Sequence, residues 1–368
     1  VGRIRLTRIA IFSKGVEGLP KEHVSRVVDV VDLPLKVMLE FSSLCSGLLS
    51  NAALAALGEI RTITHRVIGK FSRKLDEAYL NHRALTNPSE EAESHVIPLI
   101  ADEIQDALEG RGMHRFLSES AIEMWLSDKG LVPSELASRM GSGVAEDSAF
   151  DRMLLVVKKG LQASVEAEEG HGGDKWTSNI KKLNENKGDP SYITKCLTKN
   201  DVDAENSDRA FSVLTSIRSR YETPPPQLRM GTLISEGEGE DMAYFLCVQP
   251  LCDCVRIPSA GRDFVFLRVG KKSSPDVLVG NVDDGFHELK VDYSPHNSVH
   301  LRFSPKKSTG DVIAKEKNGK WLFSGDDGKR DFSWIADLKP AHAQRIANKY
   351  ATQVSRVGLT ESEWIRRQ

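Results

Sequence analysis

Residues 223–235 of the chain read TPPPQLRMGTLIS, and the pattern of the whole sequence turns over at this point. Pro224, Pro225 and Pro226 each fix φ and remove a backbone donor, so neither a helix nor a sheet ladder continues through them. Three prolines in a row make a stiff, extended segment. They predict a domain boundary between residues 222 and 223.

On the far side of that boundary the apolar residues fall in short runs at period two. LRMGTLIS (228–235), AYFLCVQP (243–250), FVFLRV (264–269), GFHELKVDY (285–293) and SVHLRFSP (298–305) are strand-like. Asn318-Gly319 and Asp327-Gly328 are hairpin signals. The C-terminal region, residues 223–368, is therefore expected to be β-rich, a strongly bent sheet or small barrel. A helix, KPAHAQRIANKYATQVSRVG (339–358), closes it.

Within this region FLCVQPLCDCVRI (245–257) holds three of the five cysteines, Cys247, Cys252 and Cys254. Structural zinc takes four ligands, commonly two CxxC-like pairs. Here the spacing is C-x4-C-x-C, and a fourth ligand would have to come from His287, His296 or His300. The preferred reading is a strand that buries Cys247 as a small hydrophobe, followed by a shaped loop. In that loop Cys252, Asp253, Cys254 and Arg256 form a recognition surface, with Asp253 and Arg256 as its charge pair.

On the near side of the boundary the spacing is helical. From Lys36 to Phe71 the apolar positions Val37, Phe41, Leu44, Leu48, Leu57, Ile63 and Val67 predict one long helix, or two broken near Ser50-Asn51. Further amphipathic segments follow to residue 222, so residues 46–222 form a helical domain. SDRAFSVLTSIRSRY (207–221) is expected to be a helix with Phe211, Leu214 and Ile217 on one face. EAEEGHGGDKWTSNIKKLNENKGDP (166–190), polar and glycine-rich, is expected to be a surface loop. Residues 1–45 alternate strand and helix: LTRIAIFS (6–13), then PKEHVSRVV (20–28), then VVDVVDLPLK (27–36).

Bulk composition is that of a globular protein, 40% hydrophobic and 28% charged, with a formal net charge of −2. That charge gives no overall field favouring nucleic acid or an anionic membrane. Arg345, Lys349, Arg356, Arg366 and Arg367, with Tyr350 and Trp364 interleaved, are the one basic and aromatic cluster. The charged outer face of an amphipathic helix looks the same and is the preferred reading over contact with phosphates or bases. No apolar run is long enough for a membrane helix, no signal peptide is recognised, and five cysteines suit reduced thiols in a cytoplasmic protein. Walker A, G-x-G-x-x-G and G-x-S-x-G patterns are absent.

The first 45 residues resemble the last third of a response-regulator receiver domain. There a Ser or Thr ends the fourth strand and a Lys ends the fifth, both reaching a phosphorylated Asp. Ser13, after RIAIF, and Lys36, after VVDVVDLPL, match those positions, and a hydroxyl and an ammonium each suit a phosphoryl oxygen. Pro34 stands before Lys36 where the family has proline after it. The acidic pair and phosphoacceptor Asp would lie upstream of Val1. LPLKVMLEFSSLCSGLLSNAALAALGEIRTITHRVIGKFSRKLDEAYLNHRAL (33–85), PPPQLRMGTLI, YFLCVQPLCDCVRI and AQRIANKYATQVSRVGLTESEWIRR (343–367) resemble regulators of two-component-like bacterial phage-defence systems, Detocs among them.

The resemblance implies an α+β multidomain regulator: a partial receiver-like segment, a helical middle domain and the C-terminal β domain. It implies phosphorelay signalling with a sensor kinase and a defence effector as partners. Homodimerisation is expected through the long helix. No cofactor is expected of this chain, and Mg2+ only through a complete receiver upstream. The alternatives are an effector whose C-terminal β domain binds or cleaves nucleic acid, and a thiol or zinc enzyme built on Cys252 and Cys254.

Overall fold

A computed structural model of the chain describes residues 11–12, 27–28, 47–87, 89, 91–110, 117–168, 173–198, 200–220, 224–237, 239, 242–271, 274–281, 285–305, 310–326, 328 and 330–355. The protein mixes helix and strand, and its large sheet is a curled antiparallel half-barrel. It divides into two compact units, Val1–Leu197 and Thr198–Gln368. That division falls ahead of the triple proline. The reason is the helix Asp201–Ser216 (α9), which packs on a strand of the sheet and belongs with it. No helix among the described residues is long and apolar enough to cross a membrane.

In the first unit Ile11–Phe12 (β1) and Val27–Val28 (β2) pair in parallel, Ile11 opposite Val27. Ser13 and Lys36 lie outside the described residues. Leu48–Lys70 (α1) is one continuous helix through Ser50-Asn51. It buries Ala55 and Ile63 against Glu91–Gly110 (α3), while Leu57, expected on the inward stripe, is 64% exposed. Asp76–Leu85 (α2) also packs on α3.

A second helical core follows, formed by Glu119–Asp128 (α4), Pro133–Met140 (α5), Glu146–Ala167 (α6), Lys175–Asn184 (α7) and Tyr192–Leu197 (α8). Leu126, Leu136, Met140, Met153, Trp176, Ile180 and Cys196 fill it. Here the expected surface loop at 166–190 is corrected. Its middle is α7, and Trp176 and Ile180 are fully buried. Two apolar residues four apart lie on one helical face, and the surrounding polar and glycine residues had hidden them. Asp174 caps the helix by accepting the Thr177 N–H at 2.8 Å.

Arg152 on α6 ties this cap to the preceding turn. Its guanidinium donates to both oxygens of Glu168, at 2.7 and 2.6 Å, and to Asp174 at 2.7 Å. Burial pushes the Asp174 carboxyl up, but Arg152 and the Thr177 N–H and hydroxyl outweigh it and hold the group below its ordinary value.

The second unit carries the nine-stranded sheet. Its strands are Thr232–Glu236 (β3), Ala243–Cys247 (β4), Arg262–Lys271 (β5), Val277–Asn281 (β6), Gly285–Val291 (β7), Val299–Phe303 (β8), Lys315–Lys317 (β9), Lys320–Ser324 (β10) and Asp331–Asp337 (β11). The order is β6-β7-β5-β4-β3-β11-β10-β9, and β8 pairs with the first half of β5. The ten-residue β5 therefore has β8 and then β7 along one edge, which bends the sheet. Asn318 and Gly319, with φ of 53° and 73°, make the expected hairpin turn between β9 and β10.

Both faces of the sheet are buried. One closes on itself around Phe245, Phe264, Phe266, Phe303, Phe323 and Phe332. The other, with Leu233, Tyr244, Leu246, Leu267 and Val269, is covered by Ala343 and Ile346 of the helix Pro340–Val354 (α10). A strand buried on both sides reads as a continuous apolar run, as AYFLCV does. Gly231 is required where α10 approaches. Its φ is 89°, and a Cβ there would lie 2.8 Å from that of Ala343.

In α9 the face carrying Phe211 and Leu214 is not the buried one. Phe211 and Leu214 are 53% and 56% exposed, and the helix buries Ala204 and Ser216. Its last turn is set by Lys339, whose backbone N–H donates to the Ser216 carbonyl at 2.8 Å.

Two outcomes test this account. Phe303→Ala should lower the stability of the C-terminal unit by about 3–5 kcal/mol in urea denaturation. A loss below about 0.5 kcal/mol, typical of a surface site, would remove Phe303 from the core. Asp174→Asn should destabilise the helical unit at neutral pH. The native carboxyl sits below its unfolded value, so its contribution is present above about pH 3.9 and is lost as pH falls through the native value. Thermal unfolding of mutant and wild type should therefore converge in acid, and a constant difference down to that range would contradict the assignment.

Candidate functional site

The cysteine segment folds as a strand followed by a built loop. Cys247 ends β4 and is fully buried. Leu251–Asp253 form a single 3-10 turn that returns Cys254 into the phenylalanine core, where its thiol donates to the Pro250 carbonyl at 3.3 Å. Cys252 on that turn is exposed. Burial pushes the Cys247 thiol well above its ordinary value, which suits a packing group and not a nucleophile.

Asp253 meets Arg262, which donates to its carbonyl at 2.7 Å and lies 3.6 Å from its carboxylate. The expected partner, Arg256, is exposed and holds a left-handed backbone with φ of 53°. The four residues of the expected recognition loop thus divide: Cys254 faces inward, while Cys252 and Arg256 face solvent. Among the described residues no cluster of three or more His, Cys, Asp or Glu side chains has the geometry of a metal site.

In the basic and aromatic cluster of the last helix Arg345 and Lys349 are exposed and Tyr350 is half-buried. Lys349 lies 4.0 Å from the centre of the Tyr293 ring and 3.6 Å from Asp276. Burial pushes Asp276 up, but the Val291 N–H and the Lys290 and Lys349 ammonium groups prevail and hold it below its ordinary value. These contacts fasten α10 to the sheet. Arg356, Trp364, Arg366 and Arg367 lie outside the described residues.

A cleft of about 570 Å3 opens on the helix-bearing face of the sheet, beyond the end of α9. Its apolar floor includes Ile217, Met242, Tyr244, Val279 and Ile335, and Arg218, Arg220, His287 and Trp334 provide its polar and aromatic groups. Each wall is fixed. The Arg218 N–H donates to the Asp337 carbonyl at 2.8 Å, and Ile217 bridges to Leu338. The Arg220 guanidinium lies 4.9 Å from the centre of the Trp334 ring and 5.7 Å from that of Trp321, and donates to the Pro224 carbonyl at 2.5 Å. A register shift between Trp334 and Ala336 in β11 re-aims the side chains there. The indole N–H of Trp334 is buried without a hydrogen-bond partner among the described residues.

No carboxylate among the described residues lines the cleft. The loop carrying Gly239 is acidic in sequence, and Glu238, Glu240 and Asp241 lie outside the described residues. The cleft was not anticipated because its residues come from separate segments, and β11, which supplies Trp334, was not recognised as a strand. The alternation in DFSWIAD (331–337) was the available signal.

Thiol accessibility tests the loop. In a Cys45→Ser background, native protein should react with an aromatic disulfide reagent rapidly at Cys252 alone. Cys247 and Cys254 should react only on unfolding, and fast labelling of Cys254 would show the loop to be open. No family model, no curated protein and no solved structure matches the chain.

Proposed function

We propose that the chain is a response-regulator-like signalling protein that senses a phosphoryl group through its N-terminal segment and relays the signal through protein contacts in bacterial defence. Its partners in this reading are a sensor kinase and a defence effector, and it works in the cytoplasm. The observation that carries the reading is the parallel register of β1 and β2. Parallel neighbours need a crossover of a dozen or more residues, usually a helix, and β1 and β2 stand far enough apart in sequence for one. Ser13 is the next residue in sequence after β1, and in open α/β sheets ligands gather beyond the carboxyl ends of the strands. A metal ion, if one takes part, belongs to the upstream acidic residues of a complete receiver.

The effector reading, in which the C-terminal domain binds or cleaves nucleic acid, has the Arg220–Trp334–Trp321 stack on its side. A strand-binding protein adds a basic track with several stacking positions, and Lys349 of the basic helix is instead engaged by Asp276 and Tyr293. Nucleic-acid binding that weakens steeply with salt would favour the effector.

The relay reading is tested in the full-length protein supplied with its kinase. Lys36→Ala should leave folding and phosphate uptake intact yet uncouple phosphorylation from the downstream response, because a lysine contributes a point charge to the phosphoryl group. Wild-type signalling by this variant would remove the receiver reading of residues 1–45.

A further inference from the structure

The geometry points to the cleft beside Trp334 as a binding site for a nucleoside monophosphate, an inference that goes beyond the proposed relay. Three features select that chemistry. The first is a flat, cationic stacking surface. Arg220 is held over two indole rings and anchored to the Pro224 carbonyl. A planar base stacks on indole and guanidinium faces alike.

The second is the set of donors. Arg218 and His287 sit on the same cleft, and a guanidinium pairs with phosphate oxygens in a two-pronged geometry that an ammonium lacks. The third is size. A cleft of about 570 Å3 falls within the roughly 300–1,000 Å3 of small-molecule sites, and its apolar floor suits the uncharged face of a base and ribose. A polynucleotide would need phosphate contacts continuing past the cleft.

Calorimetric titration of the whole protein with AMP, GMP, CMP and UMP in turn tests the assignment. Adenosine, inorganic phosphate and a ten-residue oligothymidylate serve as the other arms. At least one monophosphate should bind saturably, with adenosine roughly tenfold weaker and phosphate undetected at millimolar concentration. Arg220→Ala and Trp334→Leu should each weaken that binding roughly tenfold or more, and Trp334→Phe should recover part of it. The Trp334 indole N–H resonance, assigned through the Trp334→Phe variant, should shift on binding.

Absence of binding by all four monophosphates overturns the proposal. So does oligonucleotide binding alone, or monophosphate binding that the Arg220 and Trp334 variants leave unchanged while they remain folded. The phosphoryl response and its dependence on Lys36 are read separately. A silent cleft with intact signalling therefore overturns this site alone, and a nucleotide-binding cleft without Lys36-dependent signalling overturns the receiver reading alone.

Discussion

The ring of Phe303 meets four other phenylalanine rings, those of Phe264, Phe266, Phe323 and Phe332, at centroid distances of 5.6–6.4 Å. With Phe303 itself, those rings join β5, β8, β10 and β11. Edge-to-face aromatic pairs add about 0.5–1.5 kcal/mol each beyond their area, but the greater consequence is geometric. A flat sheet of nine strands would hold β5 and β10 apart. Packing both onto Phe303 requires the sheet to curl, and β5 is long enough to do so by exchanging β8 for β7 along one edge. The cysteines are subordinate to this cluster, since Cys247 and Cys254 fill it and the loop between them is shaped by the return of Cys254.

Once the sheet curls around one apolar face, the other has to be covered from outside. α10 does so over Leu233, Leu246 and Val269, with Gly231 permitting the approach. α9 covers part of β6. The two helices do not cover everything, and the remaining surface is the cleft. Its floor is therefore the margin of the second core, with Tyr244 buried and Ile217, Met242 and Ile335 half-buried, which is why a binding site arises on the sheet face without elements of its own.

Much of this was legible in the sequence, and the parts that were not have physical reasons. The change of periodicity at the triple proline, the Asn318-Gly319 hairpin, the buried Cys247 and the closing helix all depend on local pattern, and local pattern survives in one dimension. The strand β11 was missed although it lies between β3 and β10. Its residues DFSWIAD alternate imperfectly because a register shift at Trp334–Ala336 breaks the period. The helix α7 was concealed by lysines and asparagines, which occupy the face away from Trp176 and Ile180. The boundary moved to Leu197–Thr198 because α9, helical by pattern, takes its packing from the sheet. The partner of Asp253 could not be read from spacing at all. Arg256 is nearer in sequence, but the turn at residues 251–253 presents Asp253 to Arg262 on β5.

The triple proline that marks the change of pattern also builds the cleft. A proline nitrogen has no hydrogen to donate, so an extended proline run leaves its carbonyls available to other donors. The Pro224 carbonyl takes one from Arg220, four residues earlier in the chain. That bond fixes a long, flexible side chain over Trp321 and Trp334 before any ligand arrives, and so the entropy of ordering it is met by folding rather than by binding. Pro226 continues the same function, its carbonyl accepting the Ala314 N–H at 2.8 Å and holding the linker against the sheet. A flexible glycine-rich linker would separate the helix from the strands equally well but would leave Arg220 free to move. The composition at residues 223–227 is thus explained by the cleft as much as by the change from helix to sheet.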